Sequence, residues 1–83
     1  MKYTVVWLQG AQVALANLWM HAPDQQEVAD ASDRLDVDLR HVPDKKGKPF
    51  GKFFVREDAP LGIMYHVDAA DRMVRVITVK RVN

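Results

Sequence analysis

The 83-residue sequence predicts an α+β fold of order β-α-α-β-β-β, a helical hairpin packed on one face of a small, mostly antiparallel sheet. Three observations predict it. An opening segment alternates side chains with the period of a strand, and two segments of helical period follow it, split by Pro23. Three more alternating segments then fill residues 52–80, divided by turns too short for anything but antiparallel neighbours.

In KYTVVW (2–7), Tyr3, Val5 and Trp7 fall on one side and Thr4 and Val6 on the other, in a stretch rich in β-branched and aromatic residues. Gly10 opens a short amphipathic helix. Its Ala11, Ala14, Leu15, Leu18, Trp19 and Ala22 recur at three- and four-residue spacings, and Pro23 stops it near Ala22. Asp24 then stands where an N-cap belongs, with Glu27 three residues on in the capping-box position. Val28, Ala31, Leu35, Leu39 and Val42 form one stripe; the acids sit early in this helix, and Arg34, Arg40 and His41 late, in the sense the helix dipole favours. PDKKGKP (43–49) reads as a polar loop. KFFVRED, GIMYHVD and RMVRVITVK are the remaining strands, with turns at Asp58 to Pro60 and at Ala69 to Asp71.

Length allows one domain, residues 1–83, with a single core. Trp7, Leu15, Leu18, Trp19, Val28, Leu35, Leu39, Tyr65, Val67, Val74 and Val76 are expected to build it. The chain has no cysteine, so disulfides, thiolate metal sites and cysteine nucleophiles are excluded. Neither a metal constellation nor a phosphate-cradling glycine loop is present in the sequence, and no cofactor is expected. No apolar run approaches the roughly 20 residues a membrane span needs, and the N-terminus lacks a leader pattern; a cytoplasmic protein is expected.

The net charge is only +1, but it is unevenly distributed. Through Val42 three basic residues face six acidic ones, and from Pro43 onward nine basic residues face five acidic ones. A chain polarised in this way steers a polyanion to one face and a basic or mixed partner to the other. Arg56, Arg75, Lys80 and Arg81, with Lys52, come from adjacent strands and are expected to converge on one concave face, with Lys45, Lys46 and Lys48 as loop contacts. For Arg56 and Arg75 a competing role is open, pairing with Glu57, Asp58, Asp68 or Asp71. Phe53 and Phe54 are adjacent and so point to opposite faces of their strand, which leaves one of them, with Met64 beside it, for a hydrophobic partner segment.

Several pieces of this pattern occur together: Val6-Trp7 closing the first strand; Ala14, Leu15 and Leu18-Trp19; Arg34-Leu35-Asp36 with Leu39 and Pro43. They continue with Arg56 before Pro60-Leu61, Tyr65-His66-Val67-Asp68, and Asp71-Arg72 leading into Val74-Arg75-Val76. Over nearly its whole length the chain thus resembles the RelE/ParE toxin superfamily of type II toxin–antitoxin systems, including plasmid stabilisation proteins.

The resemblance implies a cognate antitoxin as partner and one of two actions, on the ribosome and its messenger RNA or on DNA gyrase. The first is metal-independent cleavage by a ribose 2′-hydroxyl, which needs cations around the phosphorane and groups that move protons. Arg56, Arg75, Lys80 and Arg81 are the candidate cations, and His66 the candidate proton carrier. The resemblance also marks gaps. Gly62 stands where the nucleases carry an arginine, and the catalytic His or Tyr of the family falls near Val82 and Asn83. A ParE-like action on a protein target, or a domain that keeps only antitoxin binding, is therefore expected ahead of an active endoribonuclease. A non-toxic interaction module is the remaining alternative; both a homodimer and a hetero-oligomer stay open.

Overall fold

A computed structural model describes residues 2–82. Its elements are β1 (Thr4–Trp7), α1 (Gln9–His21), α2 (Gln25–Asp38), a single 3-10 turn (Pro43–Lys45), β2 (Lys48–Phe50), β3 (Phe53–Asp58), β4 (Leu61–Asp68) and β5 (Met73–Arg81). The strands form one sheet in the order β1-β5-β4-β3-β2. β1 runs parallel to β5, and every other neighbouring pair is antiparallel. The predicted architecture is therefore present, with one strand more than expected.

That strand, β2, hides in the polar loop. Lys48-Pro49-Phe50 is too short to show an alternation, but it pairs with Phe53 to Val55 through a two-residue turn. Gly51 takes a φ of 62° there, the positive-φ position that primed hairpin turns require. A proline and a lysine suit this outermost strand, since neither invites a further strand to pair.

The helices cover one face of the sheet. Val28, Ala31 and Leu35 from α2, Leu39 at its C-cap and Ala11 from α1 meet Leu61, Ile63 and Tyr65 of β4 and Val74, Val76 and Val79 of β5, all buried. Each fully buried Leu or Val contributes about 1.5–3 kcal/mol through the water it leaves. Trp7, Leu15, Leu18 and Val67 pack at the margin of this core as expected, but Trp19 does not join it: 45% of its surface is exposed. Leu18 and Trp19 are neighbours, about 100° apart around the helix, so one core-facing stripe cannot take both fully.

α2 departs from its expectation at both ends. Asp24 occupies the N-cap, yet its side chain makes no capping bond, because both its oxygens are held by Arg81. The helix closes at Asp38, not at Val42, so Arg40 and His41 lie beyond its last turn. Val42 there has a φ of 46°, a left-handed conformation that a β-branched residue tolerates poorly. The segment that follows is fastened from the sheet. Tyr65 donates its hydroxyl to the carbonyl of Pro43 at 2.7 Å, and Arg56 donates to the carbonyl of Lys46 at 2.6 Å.

Candidate interaction surface

Strand register decides which side chains share a face, because residues paired across a sheet point the same way. Phe54, Arg56 and Asp58 pair with Tyr65, Ile63 and Leu61, and so lie on the helix side. The other side carries no helix. One transverse row on it crosses all five strands: Phe50 pairs with Phe53, the Phe53 ring meets the His66 ring edge-on at 6.2 Å, His66 pairs with Arg75, and Arg75 with Val6. A second row runs Lys48, Val55, Met64, Thr78, and a third Glu57, Gly62, Lys80.

The expected convergence of cations on one concave face does not occur. Arg56 lies on the helix side through its pairing with Ile63, and Lys80 and Arg81, being adjacent, point to opposite faces; a β-bulge decides which of the two joins Arg75. Tyr65 pairs with Val76 and Met64 with Thr78, which leaves Ile77 as an extra residue in β5 and reverses the facing of everything after it. Arg75, which precedes the bulge, faces the open side, whereas Arg81, an even number of residues later, faces the helices. The same slip turns Lys80 outward and Val79 into the core.

Arg81 and Arg56 are thus tied up beneath the helices. Arg81 donates from both terminal nitrogens to the two oxygens of Asp24, at 3.0 and 2.8 Å. Arg56 reaches Asp38 at 2.9 Å as well as Lys46, and its Nε is buried without a partner among the described residues. Its carboxylate comes from α2 instead of from the neighbouring strands. Asp58 instead binds Arg34 through two hydrogen bonds. Arg75 does pair within the sheet, with Asp68 at 3.5 Å.

These pairs set the local pKa values. Hydrogen bonding from Arg81 holds Asp24 below the ordinary carboxylate range, and Arg34 does the same to Asp58. Asp68 is lowered chiefly by the backbone N–H of Asp71, with Arg75 contributing less. Burial pushes the Tyr65 phenol up to about 12.

On the open face, Phe50, Val55, Met64 and Thr78 line a hollow of ≈ 350 Å³, bordered by Glu57, Gly62 and Lys80. Phe50 is 61% exposed at its margin. Among the described residues, Lys48, Lys52 and Lys80 enter no ion pair, and Lys52 holds its ammonium 5.7 Å above the Phe53 ring. Lys45 and Lys46 sit apart from this hollow's floor, in the turn leading into β2. Of the two phenylalanines, Phe54 stacks on Tyr65 at 5.7 Å on the helix side, while Phe53 shares the open face with Met64. Phe50 was not singled out from sequence, although an exposed aromatic between Pro49 and Gly51 is itself a signal. Of the positions where the family's catalytic tail residue was expected, Val82 follows β5 and Asn83 lies outside the described residues.

Such a surface, an apolar hollow with Lys80 and Glu57 at its border and with Lys48 in the row of Val55 and Met64, is suited to a partner segment that combines apolar and acidic side chains. His66 lies on it against Phe53, opposite Arg75, while two of the proposed cations, Arg56 and Arg81, face away.

A scan against protein-family models finds no match to the chain, and a search of curated proteins finds none. Solved structures do resemble it. A chain of the toxin–antitoxin complex RelBE2 from Mycobacterium tuberculosis superposes with a TM-score of 0.82 at 21% identity, covering 99% of this chain and 93% of that one. A chain of the chromosomal ParDE toxin–antitoxin system of P. aeruginosa gives 0.72 at 12% identity, over 99% and 98% of the two chains. A mutant of the E. coli toxin RelE in the free state gives 0.65 at 17%, over 98% and 84%. At these identities the likeness is one of architecture: the chain has the RelE/ParE-like α+β fold.

Proposed function

We propose that the chain is the toxin-type member of a two-component toxin–antitoxin pair, a single cytoplasmic domain over residues 1–83, bound and neutralised by a small acidic antitoxin. It acts by binding a cellular target and not by cutting RNA. The observation that carries this reading is the open face, where an apolar hollow has Lys80 at its border, Lys48 lies in the same row as Val55 and Met64, and Lys52 stands over Phe53, none of the three in an ion pair among the described residues. Structures of the same fold described as toxin–antitoxin complexes support the kind of partner. Charge guides an acidic segment to this face, and burial of Phe50, Val55 and Met64 holds it.

The test is induced expression in bacteria, alone and with the adjacent reading frame. Growth arrest relieved by the neighbour, with intact messenger RNA and with gyrase supercoiling inhibited, supports a ParE-like action. No arrest, and no complex with the neighbour, overturns the proposal in favour of a non-toxic module.

A second reading has one observation in its favour. His66 and Arg75 are register partners on the open face, on which Lys80 also lies, so a proton carrier and two cations share one surface. Ribosome-dependent RNA cleavage that is lost in both His66→Ala and Arg75→Ala would establish that enzyme.

A further inference from the structure

A second hollow lies on the other side of the molecule, independent of the open sheet face. It is a groove of ≈ 490 Å³ between α1 and α2, floored by Trp7, Leu15 and Val28, with the part-exposed Trp19 at its rim. Its two walls differ in charge. α1 carries no Asp, Glu, Lys or Arg from Gln9 to His21, although it is a surface helix that leaves Val13 54% and Met20 63% exposed. The α2 wall contributes Asp33 and Asp36 to the lining. Asp36 accepts from the Trp7 indole at 3.1 Å and from Arg40, whereas Asp33, like Asp30 and Glu27 on the same helix, is in no ion pair among the described residues.

We infer that this groove docks an amphipathic helix of a partner protein, with a large apolar stripe and with Lys or Arg along the flank that lies over α2. A helix is required because the walls are themselves helices. Their mid-helix N–H and C=O groups are already bonded within each helix, so an occupant must satisfy its own backbone. From Gln12 to Trp19 the groove runs about 10 Å, room for two turns and anchors at i, i+3 or i+4, and i+7. The charge of the occupant follows from Asp33, the lining acid in no ion pair among the described residues, with Asp30 one turn before it on the same helix; together they repel an acidic segment of the kind proposed for the open face and attract a basic one. A second copy of this chain does not fit. Its own helices supply one Lys or Arg between them, Arg34, and α2 against α2 would set acid on acid. The polarity seen along the sequence thus becomes two docking faces of opposite sign.

The test is selection from a displayed library of helical peptides with a fixed leucine stripe and randomised flanks, against the full-length protein. Selected peptides are expected to carry Lys or Arg on one flank and to shift the tryptophan fluorescence on binding. Trp19→Ala is expected to weaken them at least about tenfold, as loss of a central aromatic does. Asp33→Asn, at an exposed position that the fold does not use, is expected to weaken them about two- to fivefold and less so in high salt. Lys48→Glu and Lys80→Glu on the open face are expected to leave peptide affinity unchanged, whatever they do to an antitoxin. Enrichment of acidic or uncharged flanks, or affinities indifferent to both Trp19→Ala and Asp33→Asn, overturns the inference.

Discussion

Arg81 and Asp24, 57 residues apart, form a two-pronged ion pair that pins the end of β5 to the first residue before α2. A cation expected at a functional surface is in this way spent on architecture, and an aspartate expected to cap its own helix is spent on a strand. Both substitutions follow from the same bulge in β5, without which Arg81 would face the open side.

The pair makes a thermodynamic cycle. Arg81→Gln and Asp24→Asn are each expected to lower Tm modestly, and the double variant to lie no lower than the worse single one, since each single change already removes the whole interaction. The pair is solvent-accessible, so the deficit should shrink as salt is added. Thermal melts of the four proteins at two ionic strengths check this. Additive losses would mean that the two side chains do not act on one another.

Asp24, Asp58 and Asp68 all titrate below the ordinary carboxylate range in the folded chain. A group with a depressed folded pKa binds its proton more weakly in the native state, so its contribution is present above the unfolded value, about 4, and fades as pH falls through the depressed one. Stability is therefore expected to drop on acidification below about pH 4. Asp58→Asn should flatten that limb, and denaturant unfolding at a series of pH values measures it.

Much of the fold was legible because its elements carry period and punctuation. Pro23 separates two helical stripes, and the short turns near Pro60 and Asp71 force antiparallel neighbours. What escaped was set by register. Val74, Val76 and Val79 show inward residues two and then three apart, so the slip at Val76-Ile77 is written in the chain, but its effect on Arg75, Lys80 and Arg81 appears only once Tyr65 is seen against Val76. The parity argument for Phe53 and Phe54 needed no partner strand and agrees with the structure. The α1–α2 groove was hidden by the opposite problem, since Trp19 keeps the spacing of a core residue while standing at the rim of a hollow.

Tyr65 offers a cleaner probe of the core. Its hydroxyl is buried and bonded to the Pro43 carbonyl, and Tyr65→Phe leaves that carbonyl without its donor, at a cost of about 1–2 kcal/mol. For a domain of this size that is roughly 4–8 °C in Tm per kcal/mol. The phenol also sets the alkaline limb. With a folded pKa raised to about 12, it holds its proton more tightly in the native state, so its contribution persists below the unfolded value near 10 and is lost as pH climbs toward 12. Tyr65→Phe is expected to flatten that alkaline fall, and melts across this pH range decide it.

Gly47 is kept small by the same tyrosine. A Cβ at this position would stand 2.6 Å from the Tyr65 hydroxyl oxygen and 2.7 Å from the Val55 carbonyl oxygen, and both are fixed, one by its hydrogen bond and the other by the backbone. Gly47→Ala is expected to cost about 1–3 kcal/mol by overpacking. The double variant with Tyr65→Phe should lose less than the sum of the two, because one of the two clashes has gone. Strict additivity would place the strain elsewhere in the turn.

The open face separates stability from binding. Lys48 and Lys80 project from the second and third rows, outside any ion pair among the described residues, so the fold gains little from their charge. Lys48→Glu with Lys80→Glu is expected to leave Tm within about 2–4 °C per site, as exposed substitutions do. An acidic partner would meet two reversed charges. Its association rate should fall by about tenfold or more at low salt, with a weaker salt dependence than for the parent protein, because long-range steering acts on the approach. Phe50→Ala removes an apolar margin without changing charge, and its effect should appear in the dissociation rate instead. Stopped-flow or surface-based kinetics with the adjacent gene's product distinguish the two. If charge reversal leaves the association rate untouched, the partner docks elsewhere on the molecule.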